Sequence, residues 1–386
     1  MPTELPRGFA AHVVNVGVKD DSDDFVLVVC DAPCAAAGVF TRSRFAGPSV
    51  VVSRDHLADL RARAVVVVSK NANVATGSVG LANAREVVAG VARAIGCDEQ
   101  DVTIASTGVI GRQYPMDRIR AGLAALPAQP TGRLADDVAR GIMTTDTVPK
   151  IAEAVVGNGP ARVVGVAKGV GMIEPDMATL ISLVFTDAAV DGPELDGILR
   201  RTVDVTFNCV SVDTDTSTSD TAIAMASGAA GSVDAGALEA AVHEVLRSLA
   251  RQVARDGEGA ETLIEVCVDR ALDASQARRV AKSIVNSPLV KTAVHGADPN
   301  WGRVAMAVGK CSDDVDIDES TVVIRFGTQE VYPSPVDADG LEQLSTYMRG
   351  DEVLIHVSLG TGDHEATVWG CDLTDGYVRI NADYTT

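Results

Sequence analysis

Short valine-rich runs separated by helical stretches are the feature of this sequence that most limits its fold. The runs at residues 25–30 (FVLVVC) and 64–69 (AVVVVS) are almost wholly apolar, as expected for strands buried on both faces of a sheet. Further strand-like runs occur near the end of the chain, at residues 322–326, 353–358 and 366–369. The pattern predicts a mixed α/β protein with many strands.

Between these runs, apolar residues recur at three- and four-residue steps. The clearest such stretch, residues 238–253, is predicted to form one helix with a continuous apolar face. It is followed by residues 256–259 (DGEG), whose glycines end the helix and let the backbone turn sharply, so that Glu258 projects beyond the helix end. Shorter helices are predicted at residues 83–95 and 275–284.

The composition narrows the possible functions. The formal net charge is −20, which disfavours binding to nucleic acid or to anionic membranes. No apolar run reaches the roughly 18 residues that a membrane-spanning helix needs, and the first residues (MPTE) do not resemble a signal peptide. Seven cysteines without C-x-x-C spacing indicate reduced, structural thiols. We therefore expect a cytoplasmic protein with no nucleic-acid or membrane partner.

Several familiar catalytic patterns are absent from the sequence. It contains no H-E-x-x-H zinc motif, no P-loop and no G-x-S-x-G elbow, and its six histidines are scattered. His295 lies in a loop rich in glycine and proline, where a structural role is the simpler interpretation. We predict no metal, and if the protein is an enzyme its nucleophile must come from elsewhere.

The most unusual segment is residues 168–180 (KGVGMIEPDMATL), in which Ala178 and Thr179 follow a turn rich in glycine and proline. The apolar run at residues 180–185 predicts a strand immediately afterwards. A threonine at the start of a strand could attack the preceding carbonyl, form an ester and be released by water as a new N-terminal residue. Its own α-amine, with a pKa of about 8, would then serve as the base for its hydroxyl. The alternative is a glycine-rich turn before a buried strand.

Three other polar segments accompany this one. In residues 106–111 (STGVIG), which follow an apolar strand, Thr107 and Gly108 could direct a hydroxyl and a backbone N–H at one point, as in an oxyanion hole; an ordinary turn is the alternative. Residues 144–147 (TTDT) fit a helix cap or a turn. Residues 213–220 (DTDTSTSD) lack the glycine and the distal glutamate of a calcium loop, so a hydroxyl-rich loop lining the site is preferred to a cation site.

Together these segments resemble the ornithine acetyltransferase family, the bifunctional glutamate N-acetyltransferases. The similarity extends from residues 6–9 (PRGF) to Thr386 at the end of the chain. Its longest motifs are residues 106–111, 168–180, 256–260, 286–303 and 376–384.

The resemblance implies a fold and a reaction. The fold would be a layered αββα-type sandwich, superficially like the N-terminal-nucleophile hydrolases, with a smaller C-terminal α/β domain, for which we place the seam near residue 287. Self-cleavage would divide the chain into residues 1–178 and 179–386, which stay associated and assemble as a dimer of cleaved pairs. The enzyme would move an acetyl group from N-acetylornithine to glutamate through an acetyl-threonine ester, with no cofactor.

The resemblance also implies roles for individual residues. The nucleophile matches Thr179, the cleaved bond joins Ala178 to Thr179, and the oxyanion pair matches Thr107 and Gly108. The positions that match substrate-binding residues are Thr144 or its neighbour Thr145, Lys168, Thr179, Glu258, Asn381 and Thr386.

In chemical terms, Lys168 could pair with a substrate carboxylate and Glu258 with a substrate ammonium. The sequence departs from the arginine-pathway pattern nearby, because Val170 replaces a serine and the D-G-E-G-A-T-K motif ends in Glu261 and Thr262. These changes resemble acetyltransferase paralogues that accompany secondary-metabolite genes. The true donor and acceptor, including acetyl-CoA as a donor, therefore remain open.

Two other functions remain compatible with these residues. An amidohydrolase or aminopeptidase on a similar self-cleaved scaffold would use water in place of the amine acceptor, although Lys168 and Glu258 favour transfer. A non-catalytic binding protein would show neither cleavage nor an acyl-enzyme, and the retained Ala178-Thr179 pair argues against it.

Overall fold

The computed structural model describes residues 2–19, 21–174 and 180–383 of the chain. Ala178, Thr179 and Thr386, which the sequence assigns to the cleavage site and to substrate binding, lie outside these described residues.

The strands are β1 (Phe9–Val14), β2 (Phe25–Phe40), β3 (Arg61–Val68), β4 (Val102–Ser106), β5 (Lys150–Val155), β6 (Arg162–Lys168), β7 (Ile181–Ala189), β8 (Thr221–Ser232), β9 (Leu263–Ala271), β10 (Val323–Phe326), β11 (Gln329–Tyr332), β12 (Glu352–Ser358) and β13 (His364–Cys371). The α-helices are α1 (Pro48–His56), α2 (Gly77–Ile95), α3 (Met116–Ala124), α4 (Ala135–Ile142), α5 (Gly192–Asp204), α6 (Ala235–Arg255), α7 (Ala274–Val285), α8 (Pro288–His295), α9 (Trp301–Gly309), α10 (Ala338–Met348) and α11 (Asp375–Asp383).

The larger of two mixed sheets contains β1 to β8. Its order is β4-β3-β2-β8-β7-β6-β5, with β1 paired to the first half of β2. The middle strands set the register near the site: Lys168 at the end of β6 lies opposite Ile181 at the start of β7, and Ile181 lies opposite Thr221 at the start of β8. The end of β6 and the beginnings of β7 and β8 therefore meet in one place.

Helices cover both faces of this sheet. Val163 and Val164 are neighbours on β6, but Val163 packs into the cluster that contains α5 and α6, whereas Val164 packs into the cluster that contains α4. This is the two-residue alternation of a strand buried on both sides. Aromatic residues make up only 4% of the chain, so the core is built mainly from valine, alanine, leucine and isoleucine.

The smaller sheet has the order β11-β10-β12-β9-β13. Helix α7 packs on β9 and β13, while α6 contacts β5 and β6 of the larger sheet as well as β9 and β13 of the smaller one. The predicted α/β class is confirmed. The smaller sheet already includes β9, so the seam predicted near residue 287 falls between α7 and α8 and remains a prediction.

The long helices begin where side-chain caps are available. Residues 238–253 lie within α6, which begins earlier because the Asp234 carboxylate accepts the amide N–H of Ala237. In the same way, the Asp273 carboxylate accepts the amide of Gln276 at the start of α7. Among the helices of the described residues, none combines the length and the apolar character that would be required to cross a membrane.

Candidate active site

A pocket of about 220 Å³ opens where several segments of the chain meet. These are the residues after β3 and after β4, the loop after α4, the end of β6, the loop before β8, the turn after α6 and the helix α11. The pocket is lined by Ala72, Thr107, Gly108, Val109, Ile110, Thr144, Thr145, Lys168, Val170, Gly171, Met172, Ser217, Thr218, Ser219, Glu258 and Asn381. The structure thus brings together the described residues among the predicted site residues: Thr107, Gly108, Thr144, Thr145, Lys168, Glu258 and Asn381.

One side of the pocket, here named the cationic wall, consists of Thr107, Gly108 and Lys168. The Lys168 Nζ donates a hydrogen bond of 2.8 Å to the Thr107 Oγ1. Gly108 adopts a φ of +127°, and a Cβ at this position would lie 2.2 Å from the Lys70 carbonyl carbon. Only glycine fits this close backbone approach, so the residue type at 108 is set by sterics.

Lys168 is a partly buried cation. Burial lowers its pKa below that of an exposed lysine, and the nearby Lys150 ammonium lowers the pKa further, whereas the carboxylates of Asp146, Asp220 and Glu258 oppose the shift. The result is an ammonium that releases its proton more readily than usual. Its position beside Thr107 suits it to bind a carboxylate or a developing oxyanion.

A second part of the lining, here named the anionic wall, consists of Thr145, Glu258 and Asn381. The Glu258 carboxylate accepts hydrogen bonds from Thr145 Oγ1 at 3.1 Å and from Asn381 Nδ2 at 3.0 Å. Its backbone N–H donates to the carbonyl of Val170 at 2.8 Å, which ties the turn after α6 to the segment after β6. A Cβ on Gly171 would lie 2.4 Å from Glu258 Oε2, so the absence of a side chain at 171 leaves room for this carboxylate.

The first described residue after the predicted cleavage site is anchored in the larger sheet. The carbonyl of Leu180 accepts the amide N–H of Thr221 at 3.0 Å, and Leu180 is buried. Lys168 lies opposite the next residue, Ile181, in the sheet. The sequence position that follows Thr179 is therefore fixed beside the cationic wall.

The hydroxyl-rich loop also contributes to the pocket, through Ser217, Thr218 and Ser219. The carboxylate of Asp213 accepts the amides of Met172 and Ile173, at 2.6 and 2.7 Å, and thereby shapes the turn after β6. Burial raises the pKa of Asp213, although these amide donors oppose the shift. The segment read as a possible cation site thus uses this aspartate to bind backbone.

Sequence reasoning missed a buried ion-pair network beneath the pocket. Lys150 Nζ donates to Asp146 Oδ1 at 2.8 Å and to Asp256 Oδ2 at 2.6 Å, and all three side chains are almost entirely buried. The two aspartates of this network lie in segments that the sequence analysis singled out, residues 144–147 (TTDT) and 256–259 (DGEG). Each of these two segments can be interpreted locally as a helix cap or a turn. Neither indicates an ion pair between Lys150 and Asp256, which are 106 positions apart in the sequence.

Three residues discussed from the sequence lie outside the pocket lining. His295 Nδ1 is 3.0 Å from Asp372 Oδ2 and 3.7 Å from Glu261 Oε2. The Glu261 side chain is 70% exposed and Thr262 is buried, and neither is a lining residue. The two departures in the D-G-E-G-A-T-K motif therefore leave the described lining of the pocket unchanged.

Comparison with known proteins places the chain among acetyltransferases. The chain is 55% identical over 384 residues to "Arginine biosynthesis bifunctional protein ArgJ 2" of Nostoc sp., with 100% of this chain and 99% of the relative covered. It is 57% identical over 391 residues to "Glutamate N-acetyltransferase Oat2" of Streptomyces clavuligerus, with 99% and 98% covered. The predicted N-acyltransferase class is confirmed.

A solved structure gives the same affiliation. The crystal structure of the arginine biosynthesis bifunctional protein ArgJ from Bacillus halodurans is 41% identical, with a TM-score of 0.51, and the match covers 53% of this chain and 100% of that chain. The sequence profile of the ArgJ family matches residues 10–386. The chain therefore belongs to the ArgJ family, as its resemblance to the ornithine acetyltransferases predicted.

Proposed function

We propose that this protein cuts its own backbone between Ala178 and Thr179 and then moves an acetyl group from N-acetylornithine to glutamate through an ester on Thr179. The observation that carries the proposal is the pocket beside the start of β7, where the cationic and anionic walls face a shared space. The names of the relatives, an arginine-biosynthesis bifunctional protein and a glutamate N-acetyltransferase, support these substrates.

The two walls suit an acetylated diamino acid. N-acetylornithine carries a carboxylate and a side-chain ammonium, separated by the length of its carbon chain. The Lys168 ammonium would bind the carboxylate, and Glu258, held by Thr145 and Asn381, would bind the ammonium. The acetyl carbonyl would then lie near Thr107 and Gly108, which favours attack there.

Self-cleavage needs only the groups of the chain and one water. The Thr179 hydroxyl adds to the Ala178 carbonyl carbon, the peptide C–N bond breaks, and an ester joins Ala178 to the Thr179 oxygen. Water hydrolyses this ester, which leaves a carboxylate on Ala178 and a free α-amine on Thr179. That amine is the base the second reaction requires.

Acetyl transfer then proceeds in two balanced steps. The Thr179 hydroxyl gives its proton to its own amine and attacks the acetyl carbonyl; the amide C–N bond breaks, and the departing ornithine amine takes the proton. The glutamate amine next attacks the acetyl ester, the bond between the acetyl carbon and the Thr179 oxygen breaks, and the proton lost by the glutamate nitrogen passes through the Thr179 amine to that oxygen, which restores the hydroxyl. The N–H of Gly108 and the hydroxyl of Thr107 would stabilise the oxyanion in both steps, so no cofactor is required.

The division into residues 1–178 and 179–386 would run through the larger sheet. The first product would supply β1 to β6 and the second would supply β7 and β8, which pair with β6 and β2. These ladders would hold the products together after cleavage. The Bacillus halodurans chain supports the division, since it is matched over its full length yet covers only about half of this one.

We also propose that the cleaved pairs form a dimer in the cytoplasm, and that the substrate is that of arginine biosynthesis. The name of the Nostoc sp. relative supports the arginine-pathway substrate. Of the departures from that pathway's pattern, Glu261 is exposed and does not line the pocket, whereas Val170 does. Light scattering of the purified protein would test the assembly.

The test of the reaction is a product assay on the purified protein with N-acetylornithine, with and without glutamate. We expect ornithine and N-acetylglutamate in equal amounts when glutamate is present, and little acetate. Free acetate formed at the same rate with or without glutamate would instead identify an amidohydrolase. The absence of any ornithine would reject both reactions for this substrate.

A further inference from the structure

The buried triad of Asp146, Lys150 and Asp256 lies directly behind the pocket. The Lys150 side chain has no exposed surface, and its ammonium contacts both carboxylates and the carbonyl of Val148. A buried lysine with two carboxylate partners is unusual, because each charge loses its hydration and must be compensated by its neighbours.

Each carboxylate of the triad also binds backbone from a segment that carries a pocket residue. Asp146 Oδ1 accepts the amide of Gly169, the residue after Lys168, at 2.7 Å, and Asp146 Oδ2 accepts the amide of Thr144 at 3.0 Å. Asp146 therefore links the cationic wall to the loop after α4.

Asp256 makes the second connection. Its Oδ2 accepts the amide of Thr147 at 3.1 Å, and its Oδ1 accepts the Thr147 hydroxyl. Asp256 ends α6 and precedes Glu258 by two residues, so its position determines where the turn places that carboxylate. Lys150 joins the two aspartates, and through them three segments of the pocket.

We propose that Lys150 is a positioning residue, whose buried ammonium fixes the separation between Lys168 and Glu258 and so sets the length of amino-acid substrate that the pocket accepts. The effect on substrate length rests on the proposed function, whereas the positioning of the pocket segments by Lys150 does not. Lys150 is not a lining residue of the pocket; it acts through the segments it joins and through the effect of its charge on Lys168.

The electrostatics of the pocket agree with this arrangement. Burial raises the pKa of Asp146, but the ammoniums of Lys168 and Lys150 outweigh burial and leave the pKa below its ordinary value. Without Lys150, two buried carboxylates would face each other, and the Asp146 carboxylate would keep Lys168 and the amides of Gly169 and Thr144 as partners. The segments around the pocket would then move apart.

The first test is Lys150→Met, which keeps the length of the side chain and removes its charge. We expect KM for N-acetylornithine to rise about tenfold or more, with a smaller change in kcat, since the two groups that bind the ends of the substrate would be misplaced and the loss of one charge-assisted contact costs about 1.5 kcal/mol or more. Ile355→Ala, a cavity variant in the fully buried centre of β12, is the stability-matched control and should leave KM within about twofold. An unchanged KM in Lys150→Met would overturn the proposal.

A double variant separates positioning from charge balance. Lys150→Met with Asp256→Asn removes the cation together with one of the facing carboxylates, so it should melt closer to wild type while KM stays raised. If KM returned to the wild-type value along with the melting temperature, Lys150 would be a charge-balancing residue and the proposal would be wrong. The same double variant serves if Lys150→Met alone does not fold.

Hydrogen exchange gives a readout that needs no activity. In Lys150→Met, or in the double variant, the amides of Thr147 and Gly169 should exchange at least about tenfold faster than in Ile355→Ala, because their acceptors are no longer held. Unchanged protection would contradict the inference. If wild type made no N-acetylglutamate, the proposed function would fail, and the exchange data would still decide the role of Lys150.

Discussion

The two walls of the pocket differ in how the chain builds them. The cationic wall comes from the ends of β4 and β6, where strand hydrogen bonds fix the backbone, and its central contact joins Lys168 to Thr107 directly. The anionic wall comes from a loop, a turn and the helix α11, and Glu258 depends on a side chain from each of two other segments.

Under the proposed function, this difference would separate catalysis from recognition. Groups that stabilise an oxyanion must be held rigidly, since the stabilisation depends on donors that are in place before charge develops. Groups that select the far end of a substrate can be carried on less rigid segments, provided that something beneath them sets their position. In this protein the buried triad occupies that place beneath the anionic wall.

The largest effect is expected from the cationic wall, in Gly108→Ala. The added Cβ would meet the Lys70 carbonyl carbon at 2.2 Å, so the backbone and its N–H must move. We expect kcat to fall roughly 10²–10³-fold, the usual cost of losing one oxyanion donor. Gly111→Ala is the control, since Gly111 also has a positive φ but nothing lies within 4 Å of its Cβ position. Equal losses in both variants would show that backbone strain alone is responsible.

The anionic wall is tested by Glu258→Gln, which keeps the shape of the side chain; its amide oxygen can accept from Asn381 Nδ2 while its amide N–H donates to the Thr145 hydroxyl, so the hydrogen bond to Thr145 reverses direction. Loss of the charge should cost roughly 1.5–3 kcal/mol in binding a substrate ammonium, about 10- to 100-fold in kcat/KM. The loss should disappear for a donor that lacks the side-chain amine. Glu244→Gln, on the exposed face of α6, is the matched control. An equal loss with both donors would contradict the assignment.

The pH dependence of kcat/KM should report on the Lys168 ammonium of the cationic wall. Because burial lowers the pKa of Lys168 from its ordinary 10.5, the ammonium is present below the lowered pKa and is lost as the pH rises through it. We expect kcat/KM to decline on the alkaline side at a pH below 10.5. In Lys168→Arg the charge persists, so this alkaline decline should move to higher pH or vanish. An unmoved decline would assign it to another group.

The smallest effect is expected outside both walls, in Glu261→Thr. The side chain is 70% exposed, points toward His295 and does not line the pocket, so kcat/KM for N-acetylornithine should change by less than about twofold. The measurement is a comparison of steady-state kinetics with wild type. A larger change, or a new preference among acetylated amino acids, would show that this departure from the arginine-pathway pattern does alter the substrate.

Much of the fold follows from local patterns in the sequence. The valine-rich runs predicted the first part of β2 and most of β3, and the apolar periodicity predicted most of α6, because burial on one or two faces leaves a direct trace in the order of residues. The start of α2 was placed too late, at residue 83, because its first turns contain small residues such as Gly77 and Gly80 and no apolar stripe.

The site was predictable only where motifs are continuous. Thr107 and Gly108 belong to one short segment and Lys168 to another, and resemblance to a family identified both. The buried triad was not foreseen, since its Asp256 lies 106 positions from Lys150 and the contact arises only when α6 packs against β5. Long-range pairs of this kind leave no periodic trace in a single sequence.

If Thr179 carries the acetyl group, the acetylated protein should accumulate when no acceptor is present. The purified protein is mixed with N-acetylornithine without glutamate, quenched in denaturant, and its intact mass is determined, followed by peptide mapping. We predict two polypeptides, the second beginning Thr179-Leu180-Ile181 and heavier by one acetyl group on the Thr179 oxygen, with the added mass lost when glutamate is supplied. A single uncleaved chain, or a cleaved one that never gains acetyl at Thr179, would contradict the account.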